Sequence, residues 1–455
     1  MHGKKPFGIL ITRKTASILF FELLYKLLLE VSFWKVLVHD YGYYELSFDP
    51  WKFLNGVICC VIAAILIDCS SKKASAFFLL LIFSLQIIPI SVIYGMMDLT
   101  SPLYYNVLMF SFMGCELIVR FGAPLKLKNY GTGISSFIMP AFAILSVFFI
   151  ILIVFKNGLP STTALNIYSV YRLRANNSFV LGKYESYLMA CTVTVFLPFL
   201  MIKYYLDKKY LYSALAALGI LIIYLFTGQK TFLFSIPLCY FGVFFAKKKD
   251  CTYRFFRLLL LAFSAVCLLA CVWPGVNSIM THAYSMIVRR VLFVPARLKF
   301  IHHDYFSSHP KLFLNGTMPR AINLLRVSYY EQGVSYPFEI GDIYFNAPTM
   351  SAGTGVFAEA YARFGYIGIP FTLAVIAVIL LQIDSLQNRT SFRTAIGFFL
   401  YPVYALSEQQ IFGSLFFGSW MFLLIVLNHY SETDRGMTVP NTVKPFHKVK
   451  LEQNE

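Results

Sequence analysis

Long apolar runs separated by short polar connections constrain the fold of this chain more than any other feature. Counted as runs of roughly 17 to 25 residues, they number about twelve and extend from near Thr15 to near Leu427. Each run is long enough to cross the hydrocarbon core of a bilayer as an α-helix, in which the backbone satisfies its own hydrogen bonds. The sequence therefore predicts an all-α, polytopic membrane protein whose residues 1–455 form a single transmembrane domain.

Composition supports this class. Only 13% of the residues are charged and 58% are hydrophobic, whereas an average soluble domain has about 25% charged residues. The net charge of +17 would suggest nucleic-acid binding in a soluble chain. Here the cations gather in short connections and at the chain ends, as orientation signals do. We therefore expect membrane lipids, and no nucleic acid, as partners.

Basic clusters follow alternate apolar runs. They include Lys72 and Lys73, the segment Arg120–Lys128, the segment Lys203–Lys209 and Lys247–Lys249. Because basic connections stay on the cytoplasmic side, both termini are expected to be cytoplasmic, including the tail 428–455.

Two connections are too long and too polar to be simple turns: residues 156–185 and 274–355. The orientation rule places both outside, where it does not call for basic residues. Arg172 and Arg174 in the smaller loop are therefore candidate site residues, although interfacial anchoring by snorkelling side chains explains them equally well. Lys230, in the outward turn Thr227–Lys230, is a candidate for the same reason.

The large loop predicts an amphipathic helix at Met286–Lys311, with Arg290 and Arg297 on one side. Together with Arg289, these guanidinium groups suit bidentate binding of diphosphate oxygens. Attraction to anionic lipid headgroups is the alternative.

The sequence does not decide the roles of several other ionisable groups. His302, His303 and His309 lack the spacing of a zinc site, so we expect surface or base-like histidines and no metal. Glu359 and Arg363, one helical turn apart, either pair with each other or place Glu359 as a general base. Glu22, Lys26 and Glu30 share one face of the first predicted span, as a packed charge ladder or as a functional face.

No nucleotide-binding, serine-hydrolase or metalloprotease motif occurs in the sequence. If the protein is an enzyme, the free energy for the reaction must therefore arrive with the substrate, as it does with a lipid diphosphate leaving group. No cofactor is expected.

The chain resembles the Wzy-type O-antigen and capsule repeat-unit polymerases of bacteria. The resemblance rests on about twelve spans with one large and one smaller external loop. It is carried locally by Tyr171–Arg174, Thr227–Lys230, Arg289–Ala296 and Glu359–Gly368.

The resemblance implies a GT-C-like fold in the bacterial cytoplasmic membrane. The implied activity is metal-independent glycosyl transfer between polyprenyl-diphosphate-linked oligosaccharides, with a chain-length regulator protein as a partner. The diphosphate would be bound by external cations (Arg172, Arg174, Lys230, Arg289, Arg290 and Arg297), and Glu359 or His309 would be the base. Tyr329, Tyr330 and Tyr336 would stack on sugars. An O-antigen ligase and a lipid-linked oligosaccharide flippase remain the alternatives.

Overall fold

The computed structural model describes residues 12–40, 44–69, 71–124, 132–160, 181–248, 250–273, 275, 278–313, 336–353, 355–387, 390–408, 415 and 419–429. Throughout these ranges the secondary structure is helical, without a strand. The helices are α1 (Arg13–Ser32), α2 (Pro50–Leu66), α3 (Ala74–Met96), α4 (Pro102–Phe121), α5 (Thr132–Asn157), α6 (Tyr184–Leu206), α7 (Tyr210–Thr227), α8 (Lys230–Phe245), α9 (Cys251–Val272), α10 (Ile279–Tyr284), α11 (Val294–Ser308), α12 (Tyr336–Phe345), α13 (Val356–Gln387), α14 (Phe392–Glu408) and α15 (Ser419–His429).

Within the described ranges, seven helices are long and apolar enough to cross a membrane: α3, α4, α5, α6, α7, α9 and α13. Three shorter apolar helices correspond to α2, α8 and α14. Helix α1 is not among these helices, and it carries Glu22, Lys26 and Glu30 at buried positions. The prediction of an all-helical membrane protein is confirmed at this level.

Local sequence explains where helices begin. Asp49 precedes α2, and its side chain accepts hydrogen bonds from the backbone N–H groups of Trp51 and Lys52 at 2.8 and 3.1 Å. Ser101 caps α4 in the same way, through the N–H of Tyr104. In both helices a proline occupies the first turn, where its missing N–H costs nothing.

Helix α3 forms the centre of the bundle. Every residue from Ala74 to Met96 is buried, as expected for a helix that is apolar on all sides. By contrast, one face of α5 is open, with Phe137, Ile144, Ile151 and Phe155 all more than 60% exposed. Because these residues recur at helical spacing, this face of α5 is the side that would contact lipid.

The large loop predicted at 274–355 is not wholly peripheral. Helices α10 and α11 are joined by the π-helical segment Ser285–Phe293 into one helical region. Its second half enters the bundle, since Phe300 packs on Tyr94 and Tyr104. Lys299, fully buried, donates a hydrogen bond to the side-chain oxygen of Gln86 in α3 at 2.6 Å. The segment therefore packs inside the protein and does not lie only along a membrane surface.

Helix α13 begins at Val356, earlier than the span predicted to start near Tyr366. The reason is a bend at Phe364 and Gly365, where Gly365 has φ of 63°. A Cβ at Gly368 would approach the carbonyl oxygen of Ala360 to 2.1 Å. These two glycines allow the chain to change direction here and place Val356–Arg363 at an angle to the rest of the helix.

Candidate functional site

A cavity of about 850 Å³ lies between α8, α9, α14, the middle of α3 and the segment Ser285–Phe293. Its size falls within the range of small-molecule binding sites, roughly 300 to 1,000 Å³. The cavity brings together two sequence motifs that lie far apart in the chain, the connection Thr227–Lys230 and the segment that contains Arg290.

The polar groups of the cavity come from these two motifs. Thr227, Gln229 and Thr231 contribute from the connection between α7 and α8, and Arg290 contributes from the π-helical segment. Arg290 is exposed rather than buried. The cavity lining thus includes a guanidinium group as well as hydroxyl and amide groups, a combination that suits an anion.

The connection that supplies these groups is built around Gly228. This residue has φ of 62°, and its N–H caps α7 by donating to the carbonyl of Tyr224 at 2.7 Å. The hydroxyl of Thr227 donates to the carbonyl of Ile223, and it accepts from the N–H of Gln229. A glycine in the left-handed conformation is therefore what turns the chain tightly enough to place Gln229 at the cavity.

The remaining wall is mainly apolar and follows helical periodicity. Phe234, Leu238 and Phe241 line the cavity from α8, and Phe255, Leu259 and Phe263 line it from α9. Ten residues separate Thr231 from Phe241, so the apolar wall extends roughly 15 Å along α8 from the polar end. The cavity therefore suits an amphiphilic anion with a hydrocarbon chain.

Two tyrosines complete the cavity from α14. Tyr401 is buried and forms a side-chain hydrogen bond with Thr231, and Tyr404 lines the cavity one turn further on. Sequence reasoning did not single out either residue, because each is one of several aromatics in an apolar helix. Only the packing of α14 against α8 identifies them.

The other predicted arginines of the large loop have structural contacts. The Nε of Arg289 donates to the hydroxyl of Ser285 at 2.9 Å. The guanidinium of Arg297 lies 5.2 Å from the ring centroids of both Tyr44 and Phe345, which are cation–π distances. Neither residue lines the cavity as Arg290 does.

The two predicted bases, Glu359 and His309, have contacts outside the cavity. Glu359 and Arg363 form a buried ion pair of 2.6 Å, and Arg363 also donates to the carbonyl of Phe313. The ring of His309 stacks on Tyr305 with centroids 3.9 Å apart. Neither Glu359 nor His309 lines the cavity.

Of the remaining predicted site residues, Tyr336 packs its ring on Phe306 at a centroid distance of 5.5 Å. Lys230 is the first residue of α8. Arg172, Arg174, Tyr329 and Tyr330 lie outside the described residues.

A second polar cluster surrounds His303 in α11. Its Nε2 is 3.0 Å from the hydroxyl of Tyr366, and its ring lies between Tyr104 and Tyr361 at 4.7 and 4.5 Å. The Nζ of Lys311 lies 4.1 Å from the ring centroid of Tyr361. Burial, together with the nearby Lys311 ammonium, lowers the pKa of His303 to about 4, so this imidazole is neutral at neutral pH.

The two polar regions are well separated. His303 lies thirteen positions after Arg290 along one helical region, which corresponds to roughly 20 Å. The two side chains therefore cannot act on the same bond.

These features define the class: an all-helical membrane protein with a deep, mainly apolar cavity and a guanidinium group on its wall. Comparison with known proteins gives no narrower assignment, because no protein-family model, no curated protein and no solved structure matches this chain. Its function is accordingly argued from the cavity.

Proposed function

We propose that this protein binds a polyprenyl-diphosphate-linked oligosaccharide and joins such repeat units into a surface polysaccharide. In this proposal it has about twelve spans in a GT-C-like arrangement, sits in the bacterial cytoplasmic membrane with both termini cytoplasmic, and acts on the outer side. The observation that carries the proposal is the position of Arg290 on a cavity whose other walls are mainly apolar. A lipid diphosphate has the matching two parts, a double anion and a long hydrocarbon chain.

The proposed reaction forms one glycosidic bond and breaks one glycosyl–phosphate bond. A hydroxyl of the acceptor repeat unit attacks the anomeric carbon of the donor glycan, and the bond from that carbon to the diphosphate oxygen breaks. The diphosphate leaves with the bonding electrons, and a base takes the hydroxyl proton. Positive charge fixed near the leaving group lowers the barrier, because it stabilises charge that develops in the transition state.

Arg290 is the residue we assign to the leaving diphosphate. It shares the cavity with Gln229, whose side-chain amide can donate further hydrogen bonds to phosphate oxygens. In the proposal Phe234, Leu238 and Leu259 contact the proximal isoprene units. Arg172, Arg174 and Lys230 remain proposed contributors to the same anion, and Tyr329 and Tyr330 to sugar stacking.

The cluster around His303 suits a different part of the same substrate. An oligosaccharide attached to a diphosphate at Arg290 would extend over distances comparable to the roughly 20 Å that separate these residues. Tyr366, which is partly exposed, has an aromatic ring of the kind on which sugars pack. We therefore place the distal sugars of the substrate towards this cluster.

The test is a deletion of the gene with complementation by the wild-type chain, followed by electrophoresis of the surface glycan. A repeat-unit polymerase predicts loss of the ladder of long chains, with single capped repeats retained. Long chains that accumulate without attachment to their acceptor would instead indicate a ligase. Loss of all surface glycan, with lipid-linked units kept inside the cell, would indicate a flippase and contradict the proposal.

A further inference from the structure

Glu116 in α4 is a buried carboxyl group without a hydrogen-bond partner. Its side chain is 1% exposed, and neither carboxyl oxygen has a hydrogen-bond partner among the described residues. A cation is available one turn away at Arg120. However, Arg120 donates from Nη1 to the carbonyl of Leu66 at 2.8 Å and to that of Ile65 at 3.3 Å. Arg120 therefore hydrogen-bonds the carboxyl end of α2; it lies near enough to Glu116 to attract it electrostatically, but it forms no hydrogen bond with either of its carboxyl oxygens.

Three other buried acids are satisfied. Glu30 pairs with Lys26, Glu359 pairs with Arg363, and Asp384 accepts from the N–H and hydroxyl of Ser75 at 2.9 and 2.6 Å. Burial alone therefore does not explain why Glu116 has no partner.

Glu22 in α1, like Glu116, is a buried carboxyl group without a hydrogen-bond partner among the described residues. Lys26 lies four residues from both Glu22 and Glu30 and could pair with either of them. In the structure it pairs with Glu30. Both oxygens of Glu22 are buried without a partner, and this carboxyl lies near enough to Glu116 to interact with it electrostatically. Glu22 in α1 and Glu116 in α4 are thus neighbouring buried acids, and neither has a hydrogen-bond partner among the described residues.

A small cavity of about 40 Å³ adjoins Glu116 where α2 ends and α3 begins. Its polar lining comes from Asp68, Ser71, Lys73, Ser75 and Arg120. A polar space of this size can hold at least one water molecule. The cavity therefore places polar groups next to Glu116, where α2 ends and α3 begins.

An ionised carboxylate without a partner in this interior is costly, so Glu116 requires a bound proton or a cation. We propose that Glu116, with Glu22 beside it, is a proton-binding site that exchanges with water through the cavity next to Asp68 and Arg120. The charged and titratable groups around this site include Glu22, Cys60, Asp68, Cys69, Lys73, Cys115, Arg120 and Asp384. Acids placed in this way within spans are a feature of proton relays.

This inference is independent of the lipid-diphosphate cavity. Arg290 and the connection Thr227–Thr231 take no part in it. A protein without polymerase activity could still carry the proton site, and a polymerase could lack it.

The experiment treats the full-length protein, in lipid nanodiscs, with dicyclohexylcarbodiimide. This apolar reagent modifies protonated carboxyl groups, and peptide mass spectrometry identifies the modified residues. Glu359 is an internal control, because it is equally buried but paired with Arg363. We expect Glu116 to react at least about tenfold faster than Glu359, and its labelling to slow as pH is raised. Glu116→Gln should remove that label and leave the protein folded, since Gln has the same shape.

Three outcomes would overturn the proposal. Labelling of Glu116 no faster than that of Glu359 would show that it holds no accessible proton. Labelling that does not change with pH would show that the proton does not exchange with water. Protection of Glu116 by sodium chloride, but not by choline chloride at the same ionic strength, would show that the ligand is a metal cation.

Discussion

Arg363 donates from Nε to Oε1 of Glu359 across 2.6 Å, and each side chain is only 1% exposed. A buried pair of this kind is sensitive to loss of either member, because the remaining charge has no solvent. Arg363→Ala is expected to lower the free energy of unfolding by about 3–5 kcal/mol. Chemical denaturation in detergent measures the change.

The exposed pair of Lys156 with Glu185 provides the control. Glu185→Gln is expected to leave stability nearly unchanged, because solvent already screens that pair. The same measurement decides the role of Glu359. If Glu359→Gln keeps full stability but abolishes the glycan ladder, Glu359 is a base and the structural assignment of the pair is wrong.

Arg290 and Arg289 are adjacent in sequence but differ in surroundings, and this gives a matched comparison. Arg290→Lys keeps the charge but loses the planar fork that binds two phosphate oxygens. We expect this change to reduce the amount of long-chain glycan by roughly tenfold or more, since a charge-assisted hydrogen bond contributes about 1.5–3 kcal/mol. Arg289→Lys, at a residue that bonds Ser285, should have little effect. Glycan electrophoresis at matched expression provides the measurement, and equal effects of the two substitutions would argue against diphosphate binding by Arg290.

Leu259 and Leu258 are neighbours on α9 that face different surroundings. Leu259 lines the large cavity, whereas Leu258 is 45% exposed. Leu259→Trp adds volume inside the cavity and is expected to reduce both bound polyprenyl lipid and glycan length. Leu258→Trp adds the same volume outside and should change neither quantity. Native mass spectrometry of the purified variants reports the bound lipid; undiminished binding in Leu259→Trp would show that the lipid lies elsewhere.

His303 gives the protein a predictable dependence on pH. Its pKa falls from an ordinary value of 6.5 to about 4 on folding, so above pH 6.5 it is neutral in both states and contributes no pH dependence. As the pH falls from about 6.5 to about 4, the unfolded chain takes up a proton that the folded protein does not. The free energy of unfolding should therefore decrease through this window and level off below it.

Comparison of variants isolates this contribution. His303→Gln should show a shallower decrease of stability between pH 6.5 and 4 than the wild type, and His282→Gln, at an exposed residue, should match the wild type. His302 retains part of the effect in both variants, because burial also lowers its pKa to about 4. An unchanged slope in His303→Gln would show that this histidine is protonated in the folded state.

The sequence by itself determined the class of the protein and most helix positions. Apolar length alone predicts helices such as α3 and α9, because a backbone in hydrocarbon must bond to itself and a span requires about twenty apolar residues. Both Arg290 and the connection Thr227–Lys230 were also candidates from sequence, because polar residues are conspicuous against apolar surroundings.

Only the tertiary structure decided which of these candidates share a site. Arg290 and Gln229 line the same cavity because α8, α9 and α14 pack around it, a long-range arrangement that no local periodicity encodes. The same packing leaves Glu359 outside the lining of this cavity, and it directs the guanidinium of Arg120 to the carbonyls of α2, so that Glu116 receives no hydrogen bond from Arg120. The type of each residue determines which groups it can hydrogen-bond or pair with. The fold determines which of those groups lie near enough to interact with it.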